Sequence, residues 1–439
     1  MDRQIGRRRG LALTSLGHFI NDGTVFFVPV MAAIVAHRPD VSPTFITALF
    51  LAFYASTAVL SLFVGRLADR LGRPGSLMGI GLAILSAGLL VFYVALMQAG
   101  GPVLLGTLLA AAVLTGAGAA FYHPLGGSLL QAAFEGRSLG LALGVNGALG
   151  SLGRALYPSL YFVAALVIAG YGSVVVFAVV GLAAALAIWL GTRAPAQPRA
   201  HATHGAAAGT PIAAAAPASA AAAPASAGAS APARSGPAGT RDVLTSGILV
   251  LTGVAFLRSV ATQGIASWIP TYLSTQRGLG VSSDLGLAVT VMYAAAVIGQ
   301  PLFGLLVDRL DKRWVLAGAS LGSAATILAY LAVSGSGWAG EGWLFAFGFF
   351  TFSGFPLLLS LVGDYVPRGG NSLANALVWG VGSTAGGALG PVLVGAIVGS
   401  DYSRLGFAFT LAAGAAVVSA LATMLLRRPT RVTRMAVFG

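Results

Sequence analysis

Apolar residues run along this chain in stretches of about 20, separated by short polar turns. Each stretch can cross a hydrocarbon core of about 30 Å at about 1.5 Å per helical residue. Strands of a membrane barrel would be about ten residues long and strictly alternating, and no such pattern occurs. The pattern predicts an all-α membrane protein with twelve spans. They lie at about 11–36, 44–64, 75–98, 102–131, 139–166, 173–192, 244–272, 285–307, 314–335, 342–365, 373–399 and 404–426. Only Asp22, Arg154 and Arg258 place a formal charge deep inside a span. A charge at bilayer depth costs at least a few kcal/mol, so each is a functional candidate.

Composition agrees with the pattern. The 439 residues are 57% hydrophobic and 8% charged, against about 25% charged in ordinary soluble domains. Cysteine is absent, which excludes disulfides, thiolate nucleophiles and cysteine-ligated zinc. The basic start MDRQIGRRRG resembles a secretory leader. The apolar stretch after it holds His18, Asn21 and Asp22 and runs to about Ala36, which fits a retained first span better.

A net charge of +13 would suit nucleic-acid binding, but its placement argues for topology. Apart from Arg38, Arg154, Arg258, Arg277 and Arg404, every Lys and Arg falls in the tails, the centre or the loops on one side. Positive loops stay in the cytoplasm, so both termini and the centre are expected there, in a bacterial-type inner membrane. Anionic lipid headgroups, not nucleic acid, are the expected contact of these residues.

Between Arg193 and Arg241 the sequence turns to Ala, Pro, Ser, Gly and Thr, with a proline interrupting each alanine run. This predicts a flexible linker over 193–243 joining a six-span half, 1–192, to a second, 244–439. The halves repeat each other. Gly65-Arg66-Leu67-Ala68-Asp69-Arg70-Leu71-Gly72-Arg73 recurs as Gly304-Leu305-Leu306-Val307-Asp308-Arg309-Leu310-Asp311-Lys312-Arg313, and Pro124 and Pro158 correspond to Pro356 and Pro391. Internal repeats are a feature of transporters.

The G-x-L-A-D-R-x-G-R loop and its degenerate copy resemble the signature loop of the major facilitator superfamily, and the resemblance covers the whole chain. It implies two six-helix bundles built from inverted three-helix repeats around a central cavity, working by rocking alternating access; a monomer is the expectation. Residues 17–23 (GHFINDG) and 121–158 are similar to the fosmidomycin-resistance-like branch of proton-coupled exporters of small anionic or zwitterionic compounds. Arg154 and Tyr157 depart from that branch, where small residues are usual.

Candidate roles follow. His18, Asn21 and Asp22 share one helical face, and Asp22, with His18, is the candidate proton carrier; the competing reading is a fixed pair between Asp22 and an arginine. The superfamily fold would make Asp22 and Arg154 neighbours. Guanidinium suits carboxylates and phosphonates, so Arg258 and Arg154 are candidate anion contacts, against the alternative of buried arginines satisfied by carbonyls. His123, Asn21, Tyr157 and Gln263 complete the candidate substrate site, with Asn146, Tyr161, Trp268, Tyr293, Gln300 and Asn375 as further lining. Asp69, Arg70, Arg73, Asp308 and Arg309 are candidate cytoplasmic gate residues or simple topology anchors.

No Gly-Lys-Ser/Thr follows the glycine runs, and no nucleophile–base pair, H-E-x-x-H or metal-ligand cluster is evident. The expectation is a transporter without cofactor or metal, driven by a proton or substrate gradient, and not an enzyme. Export of an anionic or zwitterionic antibiotic or metabolite is the first reading. Uptake or exchange of organic anions such as carboxylates is the second.

Overall fold

The computed structural model describes residues 6–134, 137–192, 244–333, 337–365, 374 and 376–428. The expected linker, 193–243, lies outside them, as does Asn375. All regular structure in the described residues is helical. The first half comprises α1 (Arg7–Val35), α2 (Pro43–Leu71), α3 (Pro74–Leu96), α4 (Gly101–Ala119), α5 (Tyr122–Ala133), α6 (Arg137–Val167) and α7 (Gly172–Thr192). The second comprises α8 (Ser246–Thr275), α9 (Ser283–Arg309), α10 (Lys312–Ala332), α11 (Trp338–Phe352), α12 (Phe355–Tyr365), a π-helical stretch (Ala376–Ala385) continuing as α13 (Gly386–Val398), and α14 (Leu405–Thr423). Ten helices among the described residues are long and apolar enough to cross a membrane.

Helix starts carry the signals expected of them. Ser42 and Thr245 accept from the backbone N–H of Phe45 and Ile248, and Pro43 and Pro74 open α2 and α3. The turn after α2 needs Gly72, which takes a left-handed φ of 62° and donates to the Ala68 carbonyl.

Two expected continuous spans are broken. The fourth is α4 plus α5, parted at Ala120–Phe121, and the tenth is α11 plus α12, parted at Ser353–Gly354. Pro124 and Pro356 follow these breaks. Each lacks the N–H that would meet the carbonyl four residues earlier, at Ala120 and Phe352. The sequence predicts a bend at Pro124; the structure makes a break there.

Two arginines at the poorly charged end also find a purpose. Arg38 donates to the carbonyls of Gln98 and Ala99, just past α3. Arg277 donates to those of Tyr330, Leu331 and Val333, at the end of α10. The positions differ by 239 residues, the shift that relates the two signature loops. Each satisfies orphaned carbonyls at the negative end of a helix dipole.

Small residues set the closest approaches. A Cβ at Gly153 of α6 would press on the backbone carbonyl of Phe19 in α1, and one at Gly386 of α13 on that of Phe256 in α8. One hydrophobic cluster runs through both halves, while a second, around Leu251, Leu316 and Leu361, belongs to the second half alone. The halves are joined by hydrogen bonds from Thr44 to the Gly399 carbonyl (2.9 Å), between Ser159 and Thr290 (2.8 Å) and between Tyr54 and Ser267 (2.9 Å). Thr44 and Gly399 mark the end of the bundle away from the chain termini.

Candidate functional site

Asp22 sits in α1, 2% exposed, and gathers most of the polar side chains singled out in the first half. Arg154 of α6 donates from Nη2 to its Oδ2 at 3.0 Å. Asn21 donates to Oδ1 at 3.1 Å. His18 brings Nε2 to 3.4 Å from Oδ2, and His123, from the start of α5, brings Nε2 to 3.5 Å from Oδ1. The close α1–α6 approach puts Arg154 within reach. The break in the fourth span turns His123 toward α1, leaving its side chain 62% exposed while Asp22 is enclosed. The cluster therefore has an exposed mouth and an enclosed floor.

A second layer fixes His18. Its Nδ1 lies 2.9 Å from both the backbone carbonyl and Oδ1 of Asn146. Asn146 in turn bonds the Tyr122 hydroxyl, which donates to the Thr14 carbonyl at 2.9 Å. The Tyr122 ring stacks on the imidazole at 4.7 Å. A Cβ at Gly150 would lie 2.5 Å from the His18 ring, so glycine is needed there for the imidazole to keep its place.

Arg154 also reaches the other half. Its guanidinium lies 4.0 Å from the ring centre of Phe26 and 5.6 Å from that of Phe352, at the end of α11. Phe26 packs edge to face on both Tyr293 and Phe352 across the junction, and those two rings meet each other at a tilt. The Nε of Arg154 is buried without a hydrogen-bond partner.

Arg258 lies elsewhere. It is 3% exposed, with Nη2 donating to the carbonyls of Phe350 (2.8 Å) and Thr351 (2.9 Å) and Nη1 to Ser320 (3.1 Å). It closes the C-terminal end of α11, where the helix break frees those carbonyls. Gln300 of α9 adds a bond to the Phe352 carbonyl at 3.3 Å. Gln263 is half-buried in α8 beside Gly387, and Tyr157 is buried among Phe19, Phe177 and Gly23, so neither joins the Asp22 cluster.

Of the expected gate residues, Arg70, Arg73 and Arg309 are exposed, and the side chains of Asp69 and Asp308 lie outside the described residues. The second copy of the loop carries ion pairs that sequence reading passed over. Lys312 meets Asp364 at 2.8 Å, both buried, and Asp311 meets Arg313 at 2.6 Å. Asp364 reads as a span end in the sequence, and only the packing of α10 on α12 shows that it is buried. Hydrogen bonding by Arg313 holds the Asp311 carboxyl below its usual range.

The family model of the Major Facilitator Superfamily matches residues 11–284 and 279–436. The chain belongs to the major facilitator superfamily. It is accordingly a multi-pass membrane transporter, not an enzyme. Its fold is similar to a bacterial homolog of the human lysosomal transporter Spinster in an inward-facing, occupied conformation (TM-score 0.68, 18% identity, 95% of this chain and 96% of that one). The unoccupied form gives TM-score 0.64 at 17% identity, over 96% and 95% of the two chains. The nucleoside transporter NupG gives TM-score 0.65 at 13% identity, over 96% and 98%. At these identities the likeness concerns the fold. No curated protein matches the sequence.

Proposed function

We propose that this superfamily member is a proton-coupled exporter of a small anionic or zwitterionic compound, of the fosmidomycin-resistance-like type, with its termini in the cytoplasm. The observation that carries the reading is the Asp22–Arg154 pair, enclosed at 3.0 Å with two histidines beside it, one of them exposed. Asp22 holds the proton and Arg154 receives the anion. With Asp22 ionised, the arginine is neutralised internally. With Asp22 protonated, its charge is free for cargo, and the unpartnered Nε supplies a further donor. Loss of the proton restores the pair and ejects the anion. One charge thus serves either partner in turn, which links the two fluxes.

Arg154 also borders Phe352 at the break in the tenth span, so a change in its pairing is felt by the opposite half. That contact supports alternating access in which the halves reorganise around the site. Arg258 is assigned to holding the broken tenth span, and Arg70, Arg73 and Arg309 to the charged cytoplasmic end.

Reconstituted in proteoliposomes, Asp22→Asn is expected to lose gradient-driven transport while keeping part of its counterflow exchange. Uphill transport at the parental rate in that variant would remove Asp22 from coupling. An uptake carrier for organic anions would use the same pair in the opposite sense. A deletion strain separates the two, since sensitivity to a toxic compound marks export and failure to grow on a carboxylate marks import.

A further inference from the structure

We propose that His18, Asp22 and His123 form a binding site for a first-row divalent transition metal ion of the zinc class, open on one side to anionic cargo. The three ligand atoms all lie within 4.8 Å of one another. Two imidazoles and a carboxylate suit such an ion, and three protein ligands with a free fourth position describe a zinc site that still accepts a small molecule.

The state of His18 carries the argument furthest. Its Nδ1 faces the backbone carbonyl of Asn146 at 2.9 Å. A carbonyl only accepts, so Nδ1 carries a hydrogen whichever way the Asn146 amide is turned. In the neutral ring Nε2 then presents a lone pair, and it presents it to a carboxylate oxygen 3.4 Å away. Two lone pairs facing each other call for a cation between them. A proton would draw the atoms to about 2.7–2.9 Å, the length of a charge-assisted bond. The observed separations are longer, 3.4 Å from His18 to Oδ2 and 3.5 Å from His123 to Oδ1, so the two imidazoles flank the carboxylate on its two oxygens with their ligand atoms close enough to share an ion.

The surroundings fit the same ion. Metal-bound histidines donate their second ring nitrogen to a carbonyl or carboxylate that fixes tautomer and orientation. Asn146 does this for His18, and is itself held by Tyr122. His123 stands at the exposed mouth, where an ion can enter and a water or cargo oxygen can complete the coordination. Arg154 shares Asp22 with the ion, so a divalent ion on neutral histidines leaves a net charge of about +2 by formal count. With Asp22 ionised and Arg154 still paired to it, that excess comes from the ion and recruits an anion to its open fourth position. The cargo clause rests on the transport reading above; the ion site does not.

The test is ion binding by the purified full chain in detergent, with no transport involved. Titration with Zn²⁺ alone, followed by calorimetry, is expected to show one saturable site. Co²⁺ in its place is expected to give the intense visible bands of a tetrahedral N/O site. His123→Gln, at an exposed position where folding is not at risk, should weaken Zn²⁺ by more than about 100-fold. Asn146→Ala should weaken it by about 10–100-fold through loss of the second layer. Gln263→Ala, away from the cluster, should leave it unchanged. Absence of saturable Zn²⁺ binding, or binding that His123→Gln and His18→Gln both leave intact, overturns the proposal. Either result leaves the Asp22→Asn coupling test standing, so the two readings fail separately.

Discussion

The fourth and tenth spans break at corresponding prolines, yet the two breaks are closed by different chemistry. In the second half, Arg258 and Gln300 bond the carbonyls of Phe350, Thr351 and Phe352. In the first half, hydroxyls of α2 do the work. Thr57 reaches the Gly116 carbonyl at 2.9 Å and Ser61 the Ala120 carbonyl at 3.5 Å. The 239-residue shift pairs Ser61 with Gln300 and Arg258 with Phe19. Among the described residues no arginine is bound to the first-half break, and His123 beside it is exposed at the Asp22 cluster. A repeat can thus keep its geometry in both copies while confining titratable chemistry to one.

The largest expected effect breaks the comparison at its charged end. Arg258→Ala would orphan two buried carbonyls and leave a cavity. It should lower stability by ~3 kcal/mol, seen as a fall of several degrees in the thermal unfolding midpoint in detergent. Arg258→Lys should recover only part of this, because an ammonium lacks the guanidinium fork. An Arg258→Ala protein as stable as its parent but unable to bind cargo would reverse the roles given to the two arginines.

Gly150→Ala sharpens the other side. The added methyl meets the His18 ring, so the imidazole must leave its bond with Asn146. Transport is expected to fall by about tenfold or more, equivalent to roughly 1.4 kcal/mol at the site, with the unfolding midpoint little moved. Parental flux would mean that His18 need not sit where the structure puts it.

Gln300→Leu and Ser61→Ala compare the lesser bonds at the two breaks directly. Loss of the first should destabilise by ~1 kcal/mol and of the second by less, given its 3.5 Å length. Equal losses in paired melts would show that the breaks are closed alike.

The smallest effect is at the loop. Asp311 is depressed chiefly by the Arg313 side chain. A carboxyl lowered by folding stabilises the fold above its unfolded pKa and loses that contribution as pH falls through its folded value. The half-buried pair should therefore leave stability flat between pH 6 and 8 and weaken it only in acid. Arg313→Ala should abolish that acid-side slope in melts across pH; a slope that survives it would assign the effect to another carboxylate.

Much of this was open to reading in the one-dimensional pattern. Span positions and the three interior charges follow from solvation, because lipid forces helices and penalises charge wherever it falls in them, and the repeat from matching motifs at matching spacing. Asp22 and His18 were recognisable as one group because four residues is one helical turn. His123 could be named, and so could Pro124, but a bend and a break read the same until neighbouring hydroxyls are seen to satisfy the freed carbonyls. Lys312 and Asp364 sit at span ends, where burial depends on what packs over them.

By itself, then, the sequence determined a helical membrane protein of two repeated halves and where its costly charges lie, since these depend on local hydropathy and spacing. Partnership was decided only in three dimensions. Asp22 meets Arg154 132 residues away and His123 from a different helix, while Arg258 meets its carbonyls more than 90 residues on. A guanidinium costs the same to bury whether it faces a carboxylate or a helix end. Only the packing of helices says which of these satisfies it.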